Sequence, residues 1–394
     1  MKRLLALILA LAMLFALAAC GKNESPSGST APTDAPPELS ELFKRSSYTA
    51  DDSQLSAARD TVVATFGDVT LTNSMLQIYY WMDAYNFISS YSSKLSQYGL
   101  DIKKPLDQQD CLLSSGTWQH YFLSNSLKSW HYYQALALMA DETQTPINPS
   151  MQEALDNLYD DLEKNAKEEK FDSIDALIQA DAGAGCTAQD YYKYTELLYK
   201  GYSYFDKIVA GITITDAMIE EFFTEHEEEL KESGISKESG NAYHVRHILI
   251  RVDDGKTDAD WESCKKEAQK ILDEWLAGEA TEEAFAELAS KHSEDTGSNY
   301  NGGLFEGLSD DTNFVKEFKD WYLDNSRKVG DYGLVKSDYG YHIMYFSGSE
   351  IEWIYQCREA AKAEKTSEAI QAAMDKYTVT VEYDKILLPD LKFS

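Results

Sequence analysis

The chain has 394 residues, of which 43% are hydrophobic, and a formal net charge of −31. That length allows two or three domains of ordinary size, with enough apolar residues for a sizeable core. The charge argues against nucleic acid or anionic lipid headgroups as the main partner, because the summed field repels phosphate.

The N-terminus reads "MKRLLALILALAMLFALAAC". Lys2 and Arg3 precede an apolar run and small residues before a cysteine, which is the pattern of a secretory signal rather than of a spanning helix. Leu17 to Cys20, followed by Gly21, resembles a bacterial lipobox. The resemblance implies that Cys20 becomes a lipidated first residue and that acyl chains anchor the protein to a membrane. An ordinary signal cleaved near Cys20 is the other reading. The next stretch is rich in Ser, Pro, Gly and Thr, cannot bury apolar surface, and reads as a tether over 21–45.

In "DTVVATFGDVTLTNSMLQIYYWM", two short alternating runs flank Gly67-Asp68 and predict a hairpin. Thr72 then reads as the N-cap of a helix. From there to about residue 205 the apolar spacing is helical. Tyr and Trp are dense in this part. Core packing is the simpler reading, and a groove for unfolded peptide is the other. Residues 212–230 form another helix capped by Thr215, and "KESGISKESGNA" is a polar boundary.

A different pattern follows. "YHVRHILIRV" reads as a strand, and Thr257 with Asp260 opens a helix by a capping box. "TEEAFAELASKHSED" and "NFVKEFKDWYLD" are two further helices, and "YGLVKSDYGYHIMYFSG" is a hairpin. A helix and the strand-like "TVTVEYDKI" then close the chain, as if to complete the N-terminal helical part. The expected boundaries are a signal at 1–20, a tether at 21–45, a helical part at 46–238, an α/β unit at 239–349 and a completing segment at 350–394. Cys111, Cys186, Cys264 and Cys357 show no CxxC or metal spacing; an even count outside the cytoplasm permits disulfides, nothing in the sequence pairs them, and unpaired buried thiols are the preferred reading. No cofactor or metal site is visible. "EHEEEL" reads as a solvated helix face, since it lacks EF-hand spacing.

Two histidines lie three apart in the strand. Side chains alternate faces along a strand, so His244 and His247 point to opposite sides and do not form a metal pair. His247 shares its face with Leu249. His342, in "YGYHIMYF", lies on a second apolar strand. Each neutral imidazole has one donor and one acceptor, so His247 and His342 on neighbouring strands can satisfy one another.

"RHILI", "FAELASKHSED", "GG", "FVKEF" and "YGYHIMYF" occur, over about a hundred residues, in the order and spacing of the parvulin-type peptidyl-prolyl isomerase domain. With the lipobox-like start and the helical segments on either side, the chain resembles PrsA-type foldase lipoproteins. It is similar in plan to SurA-like chaperones with a single parvulin unit. The resemblance implies an α+β fold in which a helical chaperone domain, built from both ends of the chain, carries an inserted parvulin-like domain with a four-stranded antiparallel sheet. It also implies site residues: His247 and His342 as the paired core histidines, Asp295 beside the twisting peptide, and Ser337 at a small-hydroxyl position. Phe318, Phe314 and Phe305 would wall the proline pocket, with Tyr339 beside them. The family's "GGDLG" stands here as "GGLFE", with Leu304 for the acidic residue and Glu306 for the last glycine.

The function implied is extracytoplasmic prolyl isomerisation with chaperoning of newly secreted polypeptides that contain X-Pro bonds. A non-catalytic holdase with a degenerate parvulin module is the alternative. A solute-binding lipoprotein fits poorly, because two matching α/β lobes are absent. The implied location is a lipid anchor on the outer face of a bacterial cell membrane, of Gram-positive type. Monomer and homodimer both remain open.

Overall fold

The computed structural model describes residues 39–252 and 256–393, so the signal, Cys20 and residues 21–38 of the expected tether lie outside the described residues. Among the described residues no helix is long and apolar enough to cross a membrane. The chain divides into two compact units, one comprising residues up to Gly211 together with those from Thr366, the other running from Ile212 to Lys365.

In the first unit, α1 (Asp52–Ala57) leads to β1 (Val62–Phe66) and β2 (Val69–Thr72), an antiparallel hairpin. Thr72 caps α2 (Asn73–Ser90) by accepting from the Met75 N–H, which meets one of the orphan donors of a helix start. The long helices α3 (Trp118–Glu142) and α7 (Ala188–Gly211) pack with α2, and α4 (Pro149–Asp156), α5 (Leu158–Glu168) and α6 (Ile174–Ala182) complete the layer. The aromatic density is core: Tyr79, Tyr80, Trp118 and Trp130 are fully buried. The expected tether is too long at its C-terminal end. Leu42 is buried in the core of this unit and the Arg45 guanidinium bonds the carbonyls of Tyr383 and Ile386, so residues 39–45 are part of the fold.

The second unit begins with α8 (Asp216–Glu225) and α9 (Glu227–Glu232). It continues through β3 (Asn241–Arg251), α10 (Asp258–Ala277), α11 (Glu282–His292), β4 (Leu304–Leu308), α12 (Lys316–Tyr322), β5 (Tyr332–Ser337) and β6 (Gly340–Ile351) into α13 (Glu352–Met374). The sheet is four-stranded and antiparallel throughout, in the order β4-β3-β6-β5. Because side chains alternate, it has two apolar faces. Ile248, Ile343 and Tyr345 pack with Ile271, Trp275 and Phe285 of α10 and α11. Tyr243, Val245, Met344 and Phe346 pack with Phe318, Trp321 and Tyr322 of α12. The unit is larger than the 239–349 expected from sequence. Ile219 and Phe223 of α8 close a cluster with Trp353 and Cys357 of α13, which draws both flanking helices into it.

After α13 the chain adds β7 (Val379–Val381) beside β1, giving a three-stranded sheet in the first unit. The strand is shorter than "TVTVEYDKI" suggests, because Tyr383–Lys385 coils into a 3₁₀ turn. Fully buried Asn73 ties this segment to the start of α2, accepting from Leu387 N–H and donating to the Lys385 carbonyl, both at 3.0 Å. All four described cysteines are buried.

One buried acid strains the first unit. Asp83 on α2 accepts a 3.3 Å bond from Ser129, but its other oxygen is buried with no partner. Burial pushes its carboxyl up to about 7. The folded chain therefore binds a proton there that the unfolded chain has released above the ordinary carboxylate range, and stability falls as pH rises from about 4 to 7. Asp83→Asn, neutral at every pH, is expected to raise the thermal midpoint at pH 8 with little effect near pH 4. Thermal unfolding followed by circular dichroism at both pH values checks this, and equal effects at the two would contradict it.

Candidate active site

His247 sits opposite Met344, and His342 opposite Leu249, on the adjacent central strands β3 and β6. This diagonal offset on one face lets two long side chains meet. Their Nδ1 atoms are 3.2 Å apart, and both residues are about 95% buried. His244 lies on the other face and takes no part, in keeping with the alternation.

The outer nitrogens are also engaged. His247 Nε2 lies 2.8 Å from Asp295 Oδ2 and 3.1 Å from Ser298 Oγ, and Ser298 Oγ donates to the same carboxylate oxygen at 2.5 Å. His342 Nε2 lies 2.8 Å from Ser337 Oγ, which accepts from the Tyr339 N–H at 3.2 Å. The bonds from His247 and Ser298 hold the Asp295 carboxyl well below the usual range, so it only accepts. The direction of the whole chain follows from the donor inventory. His247 Nε2–H donates to Asp295, leaving Nδ1 to accept from His342 Nδ1–H. His342 Nε2 then accepts from the Ser337 hydroxyl. Burial, reinforced by His247, lowers His342 to about 4, consistent with a neutral ring.

Over this floor lies a cavity of about 360 Å³ lined by His247, His342, Leu249, Phe305, Phe314, Val315 and Phe318, with Asp295, Arg251, Asn313 and Tyr339 also in its wall. Phe318 is fully enclosed, with its ring centroid 5.2 Å from His247, 5.4 Å from His342 and 5.0 Å from Phe314. Phe305 lies 5.0 Å from Phe314 and 5.3 Å from His247. Tyr339 is 57% exposed and stands at the mouth.

The local sequence explains this placement. Gly302 and Gly303 both have φ +72, and a Cβ on Gly303 would come within 2.1 Å of the His247 carbonyl oxygen. Only glycine lets β4 approach β3 so closely, and Gly303 O accepts the His247 N–H at 2.8 Å. Arg246, on the opposite face, holds the same segment by donating to Asn301 O and Gly302 O while pairing with Glu282. Sequence reading missed both Ser298 and Arg246. Ser298 follows Asp295 by three residues, a local turn spacing that would have signalled it.

The structure thus brings His247, His342, Asp295, Ser337, Phe305, Phe314, Phe318 and Tyr339 together. Asp295 lines the cavity as expected, and its Oδ2 is bonded to His247 and Ser298. No group of His, Cys, Asp and Glu suited to holding a metal occurs among the described residues.

Because His342 is neutral down to about pH 4 while the unfolded ring charges near 6.5, the unfolded chain binds more protons between those values. Stability of this unit therefore falls on acidification through that window, by roughly 3 kcal/mol in total. Nitrogen NMR of the ring is expected to show His342 as the Nδ1–H tautomer at pH 5.5. An imidazolium signal from it at that pH would refute the assignment.

A family model described as a PPIC-type PPIase domain matches residues 230–348. The Chaperone SurA of Pseudomonas fluorescens is 37% identical over 105 residues, covering 27% of this chain and 22% of that protein. Foldase protein PrsA 1 of Listeria innocua is 34% identical over 142 residues, covering 34% of this chain and 41% of its own length. The chain thus spans well under half of the curated relatives it matches. Among solved structures, PrsA from Bacillus subtilis aligns over 67% of this chain and 88% of its own at 19% identity, with a TM-score of 0.33. The histidine floor and phenylalanine wall lie within the stretch that matches the PPIC-type PPIase domain, and it is through this part that the chain is similar to SurA chaperones and PrsA foldases.

Proposed function

We propose that the protein is an extracytoplasmic peptidyl-prolyl isomerase and chaperone for secreted chains, with the cavity over His247 and His342 as its prolyl site. The observation that carries this is the pairing of an apolar wall of three phenylalanines with a floor whose polar atoms are all mutually satisfied. Such a site has no free nucleophile, and isomerisation needs none. The barrier to rotation, about 18–20 kcal/mol, comes from amide resonance, and catalysis requires only that the twisted amide bind better than either planar form.

The residues divide the work accordingly. Phe305, Phe314 and Phe318 would clasp the prolyl ring and exclude water. A twisted amide has lost part of its charge separation, so it suffers less from desolvation than the planar forms. His247 and His342 would form a rigid floor, with Asp295 and Ser298 orienting one ring and Ser337 the other. Here Asp295 is a positioning residue and not a general base, since it is already the acceptor of two bonds. Tyr339 and Arg251 at the mouth would meet the residues flanking proline.

The lipobox-like Leu17 to Cys20 supports a lipid anchor at Cys20, and with the tether it supports work at the outer face of a cell membrane of Gram-positive type. The large negative charge suits a protein that must stay soluble at high local density.

A protease-free isomerisation assay on a series of proline peptides tests the reading, using the chain from residue 39. Acceleration is expected, and a barrier lowered by about 4 kcal/mol would give roughly a thousandfold. Phe318→Ala and His247→Ala are expected to lose most of it with circular dichroism unchanged. No acceleration on any peptide, alongside suppressed aggregation of an unfolded client, would replace isomerisation by holding alone. Palmitate labelling of the full chain, lost in Cys20→Ser, checks the anchor.

A further inference from the structure

The family match ends at residue 348, whereas the compact unit runs on to Lys365. The added piece is the end of β6 and the first turns of α13, fastened to α8 by the cluster of Ile219, Phe223, Trp353 and Cys357. His244 meets this piece from the face of β3 that points away from the cavity. Its Nδ1 accepts the Gly307 N–H at 3.3 Å, and its Nε2 lies 3.3 Å from Glu350 Oε1. The neutral ring therefore carries its hydrogen on Nε2. Arg358 of α13 grips Glu350 through two bonds of 2.6 and 2.5 Å, a bidentate geometry that fixes direction as well as distance.

Tyr355 of the same helix closes the cluster. Its ring centroid is 5.2 Å from that of His244. Gly307 has φ +68, and a Cβ there would come within 2.3 Å of Tyr355 Cε1. Gly307 thus presses directly on the tyrosine ring. It lies two residues beyond Phe305, whose ring walls the cavity. The pairing of β3 with β4 shifts register between Tyr243 and Val245, so β4 is a short edge strand with an interrupted ladder. A segment of that kind is free to slide unless something else holds it. His244 and Tyr355 hold it from behind, as Gly303 does at its other end.

We propose that α13 is a buttress of the prolyl site: through His244, Glu350 and Tyr355 it fixes Gly307 and so positions Phe305. These are positioning residues that touch no substrate, and they set how tightly the cavity accepts the prolyl ring. The inference rests on the prolyl-site reading only for what occupies the cavity.

The test compares His244→Ala, His244→Asn and Tyr355→Ala in the chain from residue 39. KM and kcat are read on one proline peptide, together with the Gly307 amide resonance. His244→Ala is expected to raise KM roughly three- to tenfold, the worth of one hydrogen bond, with kcat little changed and the Gly307 amide shifted. His244→Asn places an acceptor near the position of Nδ1 and is expected to recover most of the affinity, which a loss of general stability would not allow. Gly307→Ala is expected to cost less in the Tyr355→Ala background than alone, a non-additivity that marks direct coupling. An unchanged KM and an unmoved Gly307 amide in His244→Ala would overturn the proposal, as would strict additivity of Gly307→Ala with Tyr355→Ala. If the unaltered chain accelerates no peptide, the isomerase reading fails on its own. Dissociation constants for the same peptide, measured by resonance shifts around Phe305, then take the place of KM with the same criteria.

Discussion

Two nitrogens facing each other at 3.2 Å cannot both donate, and this constraint organises the four-stranded sheet of the second unit. Once Asp295 accepts from His247, the inner contact has one direction, His342 must donate, and Ser337 must donate in turn. Each step removes a polar atom that would otherwise seek water in the cavity. An unpaired buried donor or acceptor costs about 1–3 kcal/mol, so the chain either closes completely or leaves a costly gap. Closing it yields a floor that is polar in composition and nearly inert toward a ligand. Such a surface suits an amide whose charge separation fades as it twists.

The wall is built by a different device. Strand β4 has few residues, a shifted register and one free edge, so its own ladder secures it poorly. It is held instead by close approach: Gly303 against the backbone of His247, Arg246 over the Gly302 carbonyl, and Gly307 against His244 and Tyr355. Between these clamps Phe305 turns inward, while Glu306 beside it is exposed. The departure from the family's "GGDLG" therefore falls mainly on an outward position, and the inward apolar position is kept. Alternation along the strand sorts the two residues, and the pair of glycines preserves the approach.

The helical unit obeys the same accounting with a different outcome. Its rings are buried against one another, yet Asp83, Tyr79 and Asn86, spaced along one side of α2, each keep a buried oxygen without a partner. Here the polar groups are not closed into a chain, and the acid responds by holding its proton. The histidine chain and Asp83 thus show both responses of buried ionisable groups, mutual pairing at the first and neutralisation at the second.

Much of the architecture was legible in local chemistry. Thr72, Thr215 and Thr257 cap helices where their spacing predicts, because a cap depends only on residues within one turn. The opposition of His244 and His247 followed from strand alternation, and the order of the parvulin segments pointed to the cavity. What local patterns did not carry were the contacts between distant residues. The unit's true extent depends on α8 meeting α13, and residues 39–45 belong to the fold because Arg45 reaches carbonyls more than three hundred positions away. Periodicity and capping determined by themselves which segments are helix and strand and which face each side chain takes, since those are properties of a few neighbouring residues. Only the tertiary structure decided which nitrogen of each histidine carries the hydrogen, what Asp295 bonds, and what holds Phe305 in place, because hydrogen-bond direction and close approach are set by partners that the chain brings together only when folded.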